Sequence, residues 1–337
     1  MSGGFIFRNN TRFLVSLLCY VIVSATSAQH NITLDKTPAS KKNLDAFVNN
    51  TSETIIYLSP SQPMSIGCPN AGFEQYDFSN WSGSTGTTSP GSTLPNYTTT
   101  GFSIVNTAGS NTSVLNTVNY HTIMSVPPSN PVYPNCVGYD SLACRTIGTQ
   151  TVSQIPFKSP YSFDPVSVRM NGAVANKRAS KLKFITSVGP SSKRLSYSYA
   201  LVFQDPGAGA VHDLTGEAPY FKVTVRNETT NTDMPGCVSF SYNAANTLPS
   251  DSINRSITAA GDSILYRKWY HYSVDLSSLP PGTNVSINFE VGGCSNGNHF
   301  GYAYVDAECG GTGSAYASMC SGSSMATLVA PAGFTSY

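Results

Sequence analysis

The sequence predicts an all-β protein, a jelly-roll β-sandwich, and three observations carry that prediction. Short runs of alternating apolar and polar residues recur between turn residues such as Asn171-Gly172 and Pro281-Gly282. No stretch sustains a helical period. Composition agrees: 11% of the 337 residues are charged, with 28 Gly and 21 Pro in Ser-, Thr- and Asn-rich text, which favours half-buried strands with polar turns over a helical enzyme.

In chain order, residues 1–28 read as a secretory signal, with Arg8 and Arg12 before an apolar core from Phe13 to Val23 and small residues from Ala25 to Ala28. That core is too short to span a bilayer, and nothing downstream is long and apolar enough, so the mature chain is expected to be exported and not membrane-spanning. Cleavage removes two of the 19 basic residues and leaves 17 against 18 acids. A nearly neutral chain lacks the basic field that nucleic acid requires. Residues 29–65 form a polar leader without a period.

Gly72-Phe73-Glu74 and the aromatic cluster ending at Trp81 read as a first strand and turn. Residues 82–120 read as loops and short strands, and Asn135 to Cys144 as a compact loop. Strands then follow in succession: Ser167–Met170, Leu182–Ser187, Leu195–Gln204, Tyr220–Arg226, Val238–Tyr242, Trp269–Val274 and Val285–Val291. In Tyr220–Arg226, Phe221, Val223 and Val225 alternate inward against Lys222, Thr224 and Arg226. A closing strand, His299 to Cys309, puts Phe300, Tyr302, Tyr304, Asp306 and Glu308 on one face. Eight or more strands over residues 66–310 fit one jelly roll with generous loops. Residues 311–337 read as a linker and the first strand of an immunoglobulin-like or PKD-like repeat, opened by Cys320 with its partner beyond Tyr337.

No catalytic residue emerges. His121, His212, His271 and His299 lack the HExxH spacing, and no GxSxG elbow is present. Sugar binding needs exposed aromatic platforms, for which Trp81, Trp269, Tyr270 and Tyr272 are the candidates. On a regular strand Tyr270 and Tyr272 share a face and Trp269 lies opposite.

Taken in order, GFEQYDFSNW, SVRMNG, YALVFQDPG, PYFKVTV, ILYRKWYHYSVDLSSLPPGTNVSINFEV and CSNGNHFGYAYVDAEC resemble a jelly-roll module near the N-terminus of large Bacteroidota surface proteins. Those proteins are exported by the type IX secretion system and continue into immunoglobulin-like or PKD repeats, and several are gliding adhesins. The resemblance implies a non-catalytic adhesin module at the bacterial cell surface, with outer-membrane secretion or gliding machinery, or surface glycans, as partners. It also implies O-glycosylation at Asp-Ser-apolar sites, here Ser141, Ser252 and Ser263.

The chain is similar as well to MAM domains and family 4/9 carbohydrate-binding modules. That likeness implies a structural calcium between Glu74 and Asp306; the alternative is that Glu74 caps a turn and Asp306 accepts backbone hydrogen bonds. It also keeps open a second function, the carbohydrate-binding module of a secreted polysaccharide-degrading enzyme. Six cysteines leave the pairing open; the preferred set is Cys68 with Cys309, tying first strand to last, Cys136 with Cys144, and Cys237 with Cys294.

Overall fold

The computed structural model describes residues 68–91, 95–102, 104–106, 120–124, 138–140, 142–143, 145–147, 150–152, 154–162, 166–190, 192–206, 217–235, 238–244, 254–257, 263–309, 316–319 and 326–329. Every regular element among them is a strand. In chain order they are β1 (Trp81–Thr87), β2 (Asn96–Thr100), β3 (Ile104–Asn106), β4 (His121–Met124), β5 (Arg145–Ile147), β6 (Gln150–Val152), β7 (Ser167–Met170), β8 (Arg178–Ser187) and β9 (Arg194–Gln204). There follow β10 (Tyr220–Asn227), β11 (Thr232–Asp233), β12 (Phe240–Asn243), β13 (Asn254–Ile257), β14 (Ser263–Asp275), β15 (Asn284–Gly292), β16 (Gly301–Cys309), β17 (Tyr316–Met319) and β18 (Ala326–Val329).

Two seven-stranded sheets make the sandwich. Sheet A runs β11-β10-β15-β8-β1-β2, with β12 pairing beside β11 on the free edge of β10; sheet B runs β13-β14-β9-β16-β7-β4-β3. Pairing is antiparallel throughout both, except for β3 with β4. No described helix is long and apolar enough to cross a membrane.

The period-2 readings hold. β10 alternates strictly, with Phe221, Val223 and Val225 fully buried. β16 sends Ala303, Val305, Ala307 and Cys309 into the core between the sheets, and Tyr302 and Tyr304, with Phe300 just before the strand, into a second cluster outside sheet B. Tyr197, Tyr199, Phe221, Phe240, Tyr272 and Phe289 form the aromatic middle of the inter-sheet core. Each such side chain contributes about 1.5–3 kcal/mol by leaving water.

One element departs from expectation. Residues 68–80 form consecutive turns, and the strand starts only at Trp81. Side chains take over the backbone partners a strand would use: Asn70 Oδ1 accepts from the Gln75 N–H, and Glu74 accepts from the Asn70 and Gly72 N–H groups. Asn70, Phe73, Tyr76 and Asn80 all carry positive φ. The turns fold Phe73 onto Trp81 at 4.5 Å, while Trp81 donates Nε1–H to the Asn70 carbonyl at 2.9 Å.

His121 ties the sheets together. It is fully buried between the rings of Phe78 and Phe102, with Nε2 3.1 Å from the Lys181 carbonyl of sheet A. A carbonyl acceptor fixes Nε2 as the protonated nitrogen, and burial holds the pKa down from 6.5 to about 4. Because the folded pKa lies below the unfolded one, the unfolded chain takes up the proton first as pH falls. His121 therefore removes stability between pH 6.5 and about 4, by about 3 kcal/mol at the acid end. Urea unfolding at neutral and mildly acid pH should show a shallower pH dependence for His121→Gln than for the parent; parallel slopes would rule out this role.

Candidate functional site

The aromatic residues nominated from sequence do not form a platform. A register shift between Arg267 and Tyr270 leaves Trp269 in the cluster outside sheet B, whereas Tyr270 and Tyr272 face the inter-sheet core. Trp269 is buried and donates Nε1–H to the Pro156 carbonyl at 2.7 Å. Tyr272 is buried, stacked on Tyr197 at 5.4 Å. Half-buried Tyr270 carries the Arg267 guanidinium 3.6 Å over its ring. Trp81 is a core residue. These ring faces are already occupied by protein.

Glu74 and Asp306 do not fit a shared calcium site. Both Glu74 oxygens accept backbone N–H groups, at 2.7 Å from Asn70 and 3.0 Å from Gly72, which is the turn-capping arrangement. Asp306 is buried on the outer face of sheet B, opposite Ser198 in register. Among the described residues no three His, Cys, Asp or Glu side chains gather to hold a metal.

Cys68 and Cys309 form a disulfide with Cα atoms 5.5 Å apart. Cys294 is buried; Cys136, Cys144 and Cys237 lie outside the described residues. Of the Asp-Ser sites, Ser141 and Ser252 also lie outside them, and Ser263 donates its hydroxyl to Asp205 at 3.2 Å at the start of β14.

Part of the outer face of sheet B is covered. Ala143, Ile155 and Phe157 pack with Trp269, Tyr302 and Tyr304. The covering segment is pinned by fully buried Asp140, whose Oδ1 accepts the Leu142 and Ala143 N–H groups and whose Oδ2 accepts both the Tyr302 and Tyr304 hydroxyls at 2.7 Å. Arg169 is also fully buried, and its Nε donates to the Asn171 carbonyl. Burial pulls its pKa down, opposed by Tyr304, Tyr302 and Asp140 beside it.

Further along the same face His271, Ser198 and Asp306 stand in one cross-strand row, with His271 Nδ1 3.0 Å from Ser198 Oγ. Burial, then the charge of Arg194, lowers the His271 pKa to about 3. This is not the order of a hydrolytic triad. The hydroxyl occupies the centre, where a relay needs the imidazole, and Ser198 is only 3% exposed.

The outer face of sheet A is built differently. Its strand register aligns Tyr220, Gly292, Ala179, Gly86 and Tyr97 across β10, β15, β8, β1 and β2. Two tyrosines thus flank three positions with almost no side chain. Tyr97 donates its hydroxyl to Glu290 Oε2 at 3.0 Å. Glu290 sits on β15, three strands away at about 4.8 Å per strand, so the Tyr97 side chain reaches along the sheet toward β15.

From the other side the Tyr220 ring leans over Gly292. A Cβ there would come 2.4 Å from Tyr220 Cε1, so only glycine fits beneath it. Burial, together with neighbouring Glu290, pushes both phenol pKa values above their usual range, keeping the hydroxyls protonated as donors. The next rows present Lys222, Glu290, Lys181 and Ser84, then Thr224, Asn288, Lys183 and Ser82. Tyr97 and Tyr220 are half-buried rings on an otherwise hydrogen-bonding surface. The Lys181 ammonium lies 5.9 Å from the centre of the Tyr97 ring, looser than the 3.6 Å contact of Arg267 on Tyr270, and half-buried rings edged by donors and acceptors can stack and hydrogen-bond a polyhydroxylated ligand.

No protein-family model matches the chain, and no curated protein sequence matches it. Similar solved structures include the carbohydrate-binding module TmCBM61 in complex with beta-1,4-galactotriose, at 9% identity, covering 73% of this chain and 97% of that one, with a TM-score of 0.30. The enzymatically active domain of bacteriophage CBA120 tailspike protein 4 is similar at 9% identity over 72% of this chain and 21% of that one, TM-score 0.30. The K2 cleaved adhesin domain of Lys-gingipain is similar at 15% identity over 52% of this chain and 78% of that one, TM-score 0.20.

Proposed function

We propose that this chain is a non-catalytic carbohydrate-binding sandwich of an exported protein, and that its ligand lies on the outer face of sheet A. The observation that carries the reading is the row of Tyr97, Gly86, Ala179, Gly292 and Tyr220, which sets two half-buried tyrosines at the ends of three positions with almost no side chain, beside rows of polar residues. Disulfide formation between Cys68 and Cys309 supports an oxidising, extracellular setting. Adhesion at a bacterial surface, reached by type IX secretion, is the use we propose for such binding. A binding role suits the carboxylates of this face, because Glu290 and Glu228 are each held by a lysine, at 3.7 and 2.8 Å.

Affinity electrophoresis against a panel of soluble plant and bacterial polysaccharides tests the reading. At least one polymer should retard the parent protein, and Tyr97→Ala and Tyr220→Ala should each weaken that retardation about tenfold, the loss of about 1.4 kcal/mol of ring stacking. Undiminished retardation of both folded variants would overturn it.

A further inference from the structure

We infer that the sheet A face takes an acidic polysaccharide, one bearing carboxylate or sulfate groups along its chain; this rests on the glycan-binding reading above. The charged groups facing this surface are Lys181 and Lys183 on β8, Lys222 and Arg226 on β10, Glu290 on β15, Glu228 after β10, and Asp233 on β11. Their signs are not evenly placed in depth. The Glu290 side chain is 8% exposed, sunk between Tyr97 and Lys181, whereas the Lys181 side chain is 32% exposed. Glu228 is occupied by both Lys183 and the Ser286 hydroxyl at 2.6 Å, and its carboxyl pKa is lowered by those two bonds. Arg226 is balanced by Asp233 at the rim.

Lys222 stands directly across from Glu290 in register, yet it joins none of the ion pairs among the described residues. In the row Lys222–Glu290–Lys181 the carboxylate therefore forms the floor and the two ammonium groups are the charges a ligand meets first, while Glu228 and Asp233, with side chains 23% and 59% exposed, stay paired with Lys183 and Arg226. Three ammonium groups on β10 and β8, the two strands that flank β15, offer spaced positive charge, with Lys222 and Lys181 one row and Lys183 two rows from Tyr97 and Tyr220. That arrangement complements a sugar chain carrying repeated anionic substituents, and four basic groups against three carboxylates give this face a positive balance although the mature chain holds 17 basic residues against 18 acids.

The probes are sodium polygalacturonate, a sulfated galactan, and an unsubstituted neutral galactan, compared by affinity electrophoresis and titration calorimetry on the whole mature chain. Polygalacturonate or the sulfated galactan should bind at least tenfold more tightly than the neutral polymer, and which of the two binds better identifies carboxylate or sulfate as the recognised group. Affinity should fall as ionic strength rises from about 0.01 to about 1 M, where the screening length contracts from about 30 to about 3 Å. Lys222→Glu should weaken the acidic polymer about tenfold and the neutral one far less.

Equal binding of neutral and acidic polymers, both lost in Tyr97→Ala, would overturn the acidic class while leaving the glycan face in place. Binding of the acidic polymers that survives Tyr97→Ala and Tyr220→Ala would overturn both, as would a protein that binds none of the three.

Discussion

Cys68→Ala/Cys309→Ala should destabilise the fold by about 3–5 kcal/mol and lower its melting temperature by about 10 °C. The bond closes a loop with a sequence separation of 241, and in the chain-entropy account a longer loop means a larger restriction of the unfolded state. The native state also depends on it locally. Cys68 begins the consecutive turns that deliver Phe73, Phe78 and Trp81 to the core, while Cys309 ends β16 in the middle of sheet B. Losing the bond releases that aromatic corner from the last strand. Calorimetry of the oxidised parent and the double variant measures the difference, and hydrogen exchange should show residues 68–81 opening first. A variant that melts within about 2 °C of the parent would mean that packing of Phe73 and Trp81 alone holds the corner.

How much of this was legible in the sequence depends on the range over which each residue is fixed. β10 and β16 could be read residue by residue, because period-2 alternation is local and each strand has one face in the core. The strand and turn expected from Gly72 to Trp81 are instead consecutive turns, because Asn70 and Glu74 capture backbone N–H groups through side chains, and aromatic content alone does not reveal that competition. The burial of Trp269 is hidden for a related reason. Its strand is a local feature, but the bulge after Arg267 and the segment that covers Trp269 are both long-range facts.

The candidate site itself was invisible for a sharper reason. Tyr97, Gly86, Ala179, Gly292 and Tyr220 are separated by up to some two hundred residues and become neighbours only through the registers of four strand pairs. The single local signal was glycine in otherwise regular strands, at Gly86 and Gly292, where a strand normally avoids it unless something approaches closely. In both cases something does: the Asn96 carbonyl lies 2.1 Å from where a Gly86 Cβ would stand, and the Tyr220 ring 2.4 Å from that of Gly292.

Asp140→Ala should cost about 3–5 kcal/mol, because it strands several buried polar groups at once. The Tyr302 and Tyr304 hydroxyls lose their common acceptor, the Leu142 and Ala143 N–H groups lose theirs, and buried Arg169 loses a neighbouring negative charge. The cost is expected to arise chiefly from the unsatisfied groups left behind, which makes it partly reversible. Adding Tyr302→Phe and Tyr304→Phe to Asp140→Ala removes the orphaned donors, so the triple variant should be more stable than Asp140→Ala alone, although each tyrosine change is destabilising in the parent. Strictly additive losses in that cycle would rule out a coupled network. Hydrogen exchange in Asp140→Ala should rise at Asp140 and Phe157, whose N–H groups donate to the Ile155 and Gly138 carbonyls. Because this segment covers sheet B while the proposed glycan face belongs to sheet A, polysaccharide affinity of the folded fraction should stay at the parent value, separating the lock on one face of the sandwich from recognition on the other.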